Sequence, residues 1–208
     1  MTTTLVYILT AAQFDAAALD RMLRRAVHVS LNMLSVDSDT STSATCAILA
    51  NGEAGAVNED AFQEALTAGC IRMAETLARD GEGAKHLMRV VVRGAANERE
   101  ARTVAKSLVN SPLVKTMVAG ADPNVGRLLM AVGKCFDCRI RPEATDVAIN
   151  GRPVVAAGAR AEFDEAQLRA ALKEGVVNIE VSLGVGDATA IAFGCDLTQG
   201  YVDENAAY

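Results

Sequence analysis

The sequence is poor in aromatic residues, and this scarcity limits what the chain can be. Phe, Trp and Tyr make up only 4% of the 208 residues, and Trp is absent. The core must therefore be built from Ala, Val, Leu, Ile and Met. The chain also lacks a basic run and carries a net charge of −6, so we expect no nucleic-acid partner.

Long apolar runs are missing as well. No uninterrupted apolar stretch of about 18 residues occurs, and no signal peptide precedes the first predicted strand. We therefore expect a cytoplasmic protein that does not span a membrane. With 50% hydrophobic and 22% charged residues, the composition is typical of a globular protein.

Histidine and cysteine are too few, and too scattered, for a clear metal site. The two histidines, His28 and His86, lack metal-ligand spacing, and five cysteines form an odd set that indicates reduced thiols. Cys135 and Cys138 have CxxC spacing, but one such pair is weak evidence for zinc or redox chemistry. We expect no metal and no cofactor, and leave a role for this pair open.

Hydrophobic periodicity predicts a mixed α+β chain arranged in layers. Residues 1–208 are expected to form one unit, with strand and helix layers over 1–134 and a hairpin-rich part over 135–208. The pattern predicts long helices over 14–34 and from 58 or 60 to 78. It predicts strands over 4–12, 45–50, 86–93 and 112–118, a hairpin at Asn150-Gly151, and a pair formed by 177–183 and 188–194.

The start of the chain, Met1-Thr2-Thr3-Thr4, carries the clearest potential for chemistry. A threonine at a free N-terminus combines a nucleophilic hydroxyl with an α-amine whose unperturbed pKa is about 7.7–8.0. That amine can accept the hydroxyl proton at neutral pH. Taken alone, however, these residues favour a solvated tail before the first strand.

Six short motifs, in this order along the chain, resemble the β-subunit of the ornithine acetyltransferases, also known as bifunctional glutamate N-acetyltransferases. The resemblance covers essentially the whole chain. The motifs are Thr3–Thr10, Val36–Thr42, Asp80–Ala84, Ser111–Thr116, Asp122–Arg127 and Gly194–Thr198, the last followed by Tyr201-Val202 and Asn205-Ala206.

This resemblance implies a fold and a mechanism. The fold would be a four-layer α/β/β/α sandwich, similar in architecture to the N-terminal nucleophile hydrolases. The family's precursor cuts itself before a threonine, and the two chains stay together, commonly as α2β2. That threonine takes acetyl from N-acetylornithine and passes it to glutamate in a ping-pong reaction, while the α-chain supplies the oxyanion hole.

The resemblance also assigns site residues. The family's nucleophile falls on Thr3, its substrate carboxylate on Glu82 and its C-terminal substrate-binding asparagine on Asn205. Removal of Met1 alone would instead expose Thr2, so motif register favours Thr3 and the need for a free amine favours Thr2. Both threonines are retained as candidate nucleophiles.

Some positions depart from the family pattern and leave other functions open. Val125 replaces the tryptophan usual in the Pro-Asn-x-Gly-Arg motif, and Ser43-Ala44 replace an Asn-Asp pair. The lost ring is expected to open space near the site, which could admit water and make the protein an amidohydrolase of N-acyl amino acids. If Met1 is retained, no threonine amine is free, and the chain would be a non-catalytic partner subunit.

Overall fold

The computed structural model describes residues 4–206. Two short 3-10 helices occur at Leu31–Met33 and Pro142–Ala144. The α-helices are α1 (Ala16–Val29), α2 (Glu59–Arg79), α3 (Glu98–Val109), α4 (Pro112–Ala119), α5 (Gly126–Gly133), α6 (Glu165–Ala171) and α7 (Gln199–Asn205). The strands are β1 (Leu5–Thr10), β2 (Leu34–Ser35), β3 (Thr45–Ala50), β4 (Leu87–Ala95), β5 (Asp146–Ile149), β6 (Arg152–Ala156), β7 (Ala159–Arg160), β8 (Val176–Ser182) and β9 (Ala188–Cys195).

The described strands form two sheets. A seven-stranded sheet has the order β2-β9-β4-β8-β5-β6-β7, and β1 and β3 form a separate two-stranded parallel sheet. Because β4 pairs with both β8 and β9, strands from the first and the second parts of the chain share one sheet.

Alternate residues of β4 face different helices. Met88, Val90 and Val92 belong to the main core, together with buried residues of α3, α4, α5 and α6. On the other face, Leu87 packs with residues of α2 and β1, and Arg89 is paired with Glu75 of α2. The period of two in a strand therefore places helices on both faces of the large sheet.

The long helices begin where the sequence pattern predicts, and α2 also ends there, whereas α1 ends at Val29 and not at the predicted residue 34. Asp15 caps α1, because its carboxylate accepts the backbone N–H of Ala18 at 2.7 Å. Asn58 caps α2 through the N–H of Ala61 at 2.9 Å. The Asn150-Gly151 hairpin is also confirmed, with both residues at positive φ, as a type I′ turn requires.

Two predictions of local structure are wrong. The segment from Pro112 forms helix α4, because the Ser111 side chain caps it and Pro112 occupies its first turn, where a missing N–H costs nothing. The strands β8 and β9 do not pair with each other. Instead β4 lies between them, parallel to β8 and antiparallel to β9.

Among residues 4–206, no helix has the length and apolar character that a membrane span requires.

Candidate functional site

The two candidate nucleophiles, Thr2 and Thr3, lie outside the described residues, so their assignment stays a prediction. The first described residue is Thr4, whose carbonyl oxygen accepts the N–H of Thr45 at 2.8 Å, at the entrance to the two-stranded sheet. Thr4 and Thr45 also line a cavity of about 180 Å³ together with Asn32. The chain therefore enters the two-stranded sheet beside a small cavity that is lined by both polar and apolar residues.

The two predicted substrate-binding residues meet in space. The Asn205 side-chain amide donates to a Glu82 carboxylate oxygen at 3.1 Å, and its second N–H reaches the Tyr201 carbonyl at 2.9 Å. Glu82 lies in the loop between α2 and β4, and Asn205 is the last residue of α7. Both amide donors are therefore used, and the Asn205 Oδ1 atom is an acceptor on the same side chain.

The loop that carries Glu82 is held against the start of α7. Thr198, the N-cap of α7, donates its hydroxyl to the Gly83 carbonyl at 2.6 Å, and the Gly83 N–H donates to the Glu204 carboxylate at 3.1 Å. Gly83 has φ of +63°, and a Cβ there would lie 2.3 Å from the Gly200 carbonyl carbon. Glycine is therefore required for the close contact between the two backbones.

A buried carboxylate holds the far end of the same loop. The Asp196 side chain is fully buried and accepts the backbone N–H groups of Lys85 at 2.9 Å and His86 at 3.0 Å. Its second oxygen is 2.7 Å from His86 Nδ1. His86 thus makes a structural contact with a buried carboxylate.

Lys115 of α4 places an ammonium group next to Cys195, the last residue of β9. Its ammonium group is buried and donates to the Cys195 carbonyl oxygen, and it lies 3.8 Å from Cys195 Sγ. Burial lowers the pKa of Lys115, while Cys195, Asp196 and Asp37 act in the opposite direction. Burial likewise raises the pKa of the Cys195 thiol, so the thiol is protonated at neutral pH.

Burial and the charges of carboxylates from two loops act on the Tyr201 phenol. Burial raises the pKa of Tyr201, and the charges of Asp37, Glu82 and Asp39 raise it further, in that order. The loop after β2 and the loop after α2 therefore direct carboxylates toward the same helix. This concentration of negative charge suits a ligand that carries an ammonium group.

The other sequence features do not join this site. Val125 is buried in the main core, so the residue at the family's tryptophan position packs with apolar side chains there. Cys135 and Cys138 are free thiols, and burial raises the pKa of Cys138. Within residues 4–206, no group of three or more His, Cys, Asp or Glu side chains is arranged to hold a metal ion.

Composition and spacing alone do not identify several residues around the loop. Lys115, Cys195, Asp196 and Thr198 all belong to the six motifs, so their signal was present in the sequence as part of a family pattern. Their individual roles are long-range: Cys195 and Lys115 are separated by 80 positions along the chain. No local periodicity or spacing reports such a contact.

The comparisons with known proteins agree with one another. The model of the ArgJ family matches residues 1–208. "Arginine biosynthesis bifunctional protein ArgJ" of Rhodococcoides fascians is 43% identical, over 100% of this chain and 52% of that protein. "Glutamate N-acetyltransferase Oat2" of Streptomyces clavuligerus is 42% identical, over 100% of this chain and 54% of that protein. The chain spans about half the length of the curated relatives it matches.

A solved structure extends the agreement to the fold. The crystal structure of "Arginine biosynthesis bifunctional protein argJ" from Bacillus halodurans matches with a TM-score of 0.95 and 39% sequence identity. The match covers 99% of this chain and 100% of that one. The predicted α+β sandwich class is thereby confirmed.

Proposed function

Because this chain belongs to the ArgJ family, the ornithine acetyltransferase family that its motifs predicted, we propose that it is the nucleophile-bearing part of an acetyltransferase acting on amino acids. The observation that carries the proposal is the contact between Glu82 and Asn205. It joins two residues that the family resemblance assigns to substrate binding, on segments 123 positions apart.

The proposed chemistry begins at the threonine. The hydroxyl of Thr3, or of Thr2, attacks the acetyl carbonyl of an N-acetylated amino acid such as N-acetylornithine, and the free α-amine of the same residue takes the hydroxyl proton. The C–N bond then breaks, and the proton passes to the departing amine. The threonine keeps the acetyl group as an ester, which the amine of glutamate attacks in the second half of a ping-pong cycle.

Glu82 and Asn205 fit the binding of an ammonium group during this cycle. An ammonium offers three donors, and the Glu82 carboxylate and the Asn205 side-chain carbonyl, which belong to two side chains in contact, supply acceptors. Asp37 and Asp39 add negative charge around the Tyr201 ring. A charge-assisted hydrogen bond contributes about 1.5–3 kcal/mol, enough to select a substrate with a cationic group.

The proposed partner is an α-chain that corresponds to the other half of the curated relatives, in an α2β2 assembly. The two-stranded sheet supports this proposal, because its inner face packs on α1 and α2 while Leu5, Tyr7, Leu9 and Leu49 leave its outer face apolar and exposed. Parallel sheets are normally covered on both faces. A second sheet from the α-chain would cover this face and complete the α/β/β/α layers.

The proposal is tested with the α- and β-chains expressed together. After incubation with N-acetylornithine and an acid quench, mass spectrometry of the N-terminal peptide should show a gain of one acetyl group. An unmodified peptide would contradict the nucleophile assignment. The intact mass of the chain separates the candidates, since loss of Met1 alone exposes Thr2, loss of Met1-Thr2 exposes Thr3, and retention of Met1 indicates a non-catalytic subunit.

Glu82→Gln tests the binding site. The variant keeps a hydrogen-bond acceptor but loses the charge, so kcat/KM for the amino-acid donor should fall about tenfold or more while the melting temperature is unchanged. Glu162→Gln, at an exposed position outside the site, is the matched control. A variant that melts early but turns over normally would assign Glu82 to structure.

The amidohydrolase alternative is decided by the fate of the acetyl group. The assembled protein is given the acetylated donor with and without glutamate, and acetate and N-acetylglutamate are measured. Transfer predicts that glutamate suppresses acetate release and that N-acetylglutamate forms. Acetate release that glutamate does not change would favour hydrolysis.

A further inference from the structure

We infer that Cys195 is a positioning residue, whose buried thiol sets the place of the Glu82 loop through contact with Gly81. This inference rests on the proposed function, because it assigns a role toward the ammonium-binding carboxylate. The thiol is buried inside the protein. It acts through the backbone, one residue before Glu82.

The contact between the thiol and the loop is closer than a side chain at position 81 would allow. A Cβ on Gly81 would lie 2.7 Å from Cys195 Sγ, a distance that real Cβ atoms almost never show. The next neighbours of that Cβ, the Ala78 carbonyl oxygen and Val36 Cγ1, would both be 3.3 Å away, which is close but less severe. The sulfur atom is therefore the principal obstacle to a side chain at Gly81.

The thiol itself has little freedom to move away. Cys195 is 1% exposed, and its sulfur lies 3.8 Å from the Lys115 ammonium nitrogen and 3.9 Å from the Val36 carbonyl oxygen. The same ammonium group donates to the Cys195 carbonyl oxygen. Lys115 thus fixes Cys195, and Cys195 limits how closely the loop approaches the end of β9.

The residues that follow Cys195 hold the rest of the loop. Asp196 accepts the N–H groups of Lys85 and His86, and Thr198 binds the Gly83 carbonyl. One short segment, from the last residue of β9 to Thr198, therefore contacts the loop before Glu82, just after it and at its far end. The contact between the thiol and Gly81 is a van der Waals contact, whereas the others are hydrogen bonds, so it can be changed without removing a hydrogen bond to the loop.

Three variants of the assembled two-chain protein test the inference. Gly81→Ala should displace the loop and lower kcat/KM for the acetylated donor about tenfold, mainly through a higher KM. Cys195→Ala alone should lower it only about threefold, because the loop loses a contact and meets no clash. The double variant should be more active than Gly81→Ala, since removal of the sulfur makes room for the new methyl group.

Gly69→Ala is the matched control, because a Cβ at this helical position meets nothing within 4 Å. If the losses of kcat/KM in the two single variants simply add in the double variant, the inference is overturned. Amide hydrogen exchange supplies a second readout that needs no activity. Protection of the Lys85 and His86 N–H groups should fall in Gly81→Ala and return in the double variant, and unchanged protection in all three would also overturn the inference.

The two readouts separate this inference from the proposed function. If the wild-type assembly transfers no acetyl group, the proposed function fails, and the exchange data still decide whether the thiol positions the loop. If the wild-type assembly is active, but the double variant recovers neither the activity nor the amide protection lost in Gly81→Ala, only the positioning role fails.

Discussion

At the scale of single residues, the site depends on positions where no side chain fits. Gly81 meets the Cys195 sulfur, and Gly83 meets the backbone of Gly200 and Tyr201. Both glycines flank Glu82, so the carboxylate is presented by a loop that lies against other parts of the chain on both sides. The roles of the two glycines differ, because only Gly83 has a positive φ.

Gly83→Ala should reduce stability and activity more than a glycine substitution whose only effect is backbone strain at positive φ. The new Cβ would lie 2.3 Å from the Gly200 carbonyl carbon and the Tyr201 nitrogen, so α7 must move away and separate Asn205 from Glu82. Thermal melting and donor kinetics should both show a loss. Gly151→Ala is the matched control, since φ is +74° there and a Cβ meets nothing within 4 Å. Equal losses in the two variants would contradict the close-contact argument.

At the scale of secondary-structure elements, helix caps also serve as tertiary contacts. Asn97 caps α3 because its side-chain oxygen accepts the Glu100 N–H at 2.9 Å, and the Asn97 side-chain amide donates to the Glu100 carboxylate at 2.9 Å. The same buried carboxylate accepts the Arg139 N–H at 2.8 Å and its guanidinium at 3.2 Å. The first turn of α3 is thereby tied to the chain before β5.

Glu100→Gln should lower the melting temperature in a pH-dependent way. The Arg139 N–H, and then the Arg139 and Asn97 side chains, lower the pKa of Glu100. A lowered carboxyl pKa stabilises the fold above the unfolded-state value of about 4.3, and this stabilisation is lost as the pH falls through the folded-state value. The melting difference between wild type and variant should thus be full at pH 7 and shrink below about pH 4.

Glu98→Gln on the same helix is the control. Its carboxylate pairs with His28 at the surface, where an ion pair contributes about 0–1 kcal/mol. A melting difference for Glu100→Gln that stays constant between pH 7 and pH 3.5 would show that the substitution acts through packing instead of charge.

At the scale of the whole molecule, the most unusual surface is the outer face of the two-stranded sheet. Leu5, Tyr7 and Leu9 alternate along β1 with exposed fractions of 60, 65 and 77%, and Leu49 of β3 adds 54%. A two-stranded sheet is not stable alone in water, and large exposed apolar patches mark interaction surfaces. This face supports the proposal that an α-chain completes the protein.

Leu9→Asp should prevent assembly with the co-expressed α-chain, because a buried carboxylate without a partner is costly at an apolar interface. Size-exclusion chromatography of the co-expressed chains should show separate species, and acetyl transfer should be lost. Met130→Asp is the control, at a position on α5 that is 57% exposed and distant in sequence from the two-stranded sheet. Assembly of Leu9→Asp at wild-type yield would contradict the proposed interface.

The sequence by itself determined the family, the α+β class and the elements whose signals are local. Helices α1 and α2 follow from apolar periodicity and from the caps Asp15 and Asn58, and the hairpin follows from Asn150-Gly151. These features depend on residues within a few positions of one another. The motifs also carried the assignment of Glu82 and Asn205, which remains a proposal.

Only the tertiary structure decided which distant segments meet. The apolar segment from Pro112 has the composition of a strand, but its cap and its packing against the core make it a helix. The strands β8 and β9 are neighbours in sequence, yet each pairs with β4, because strand order depends on the packing of the whole sheet. The contacts of Glu82 with Asn205 and of Gly81 with Cys195 join segments more than 100 positions apart, and chain folding alone brings such residues together.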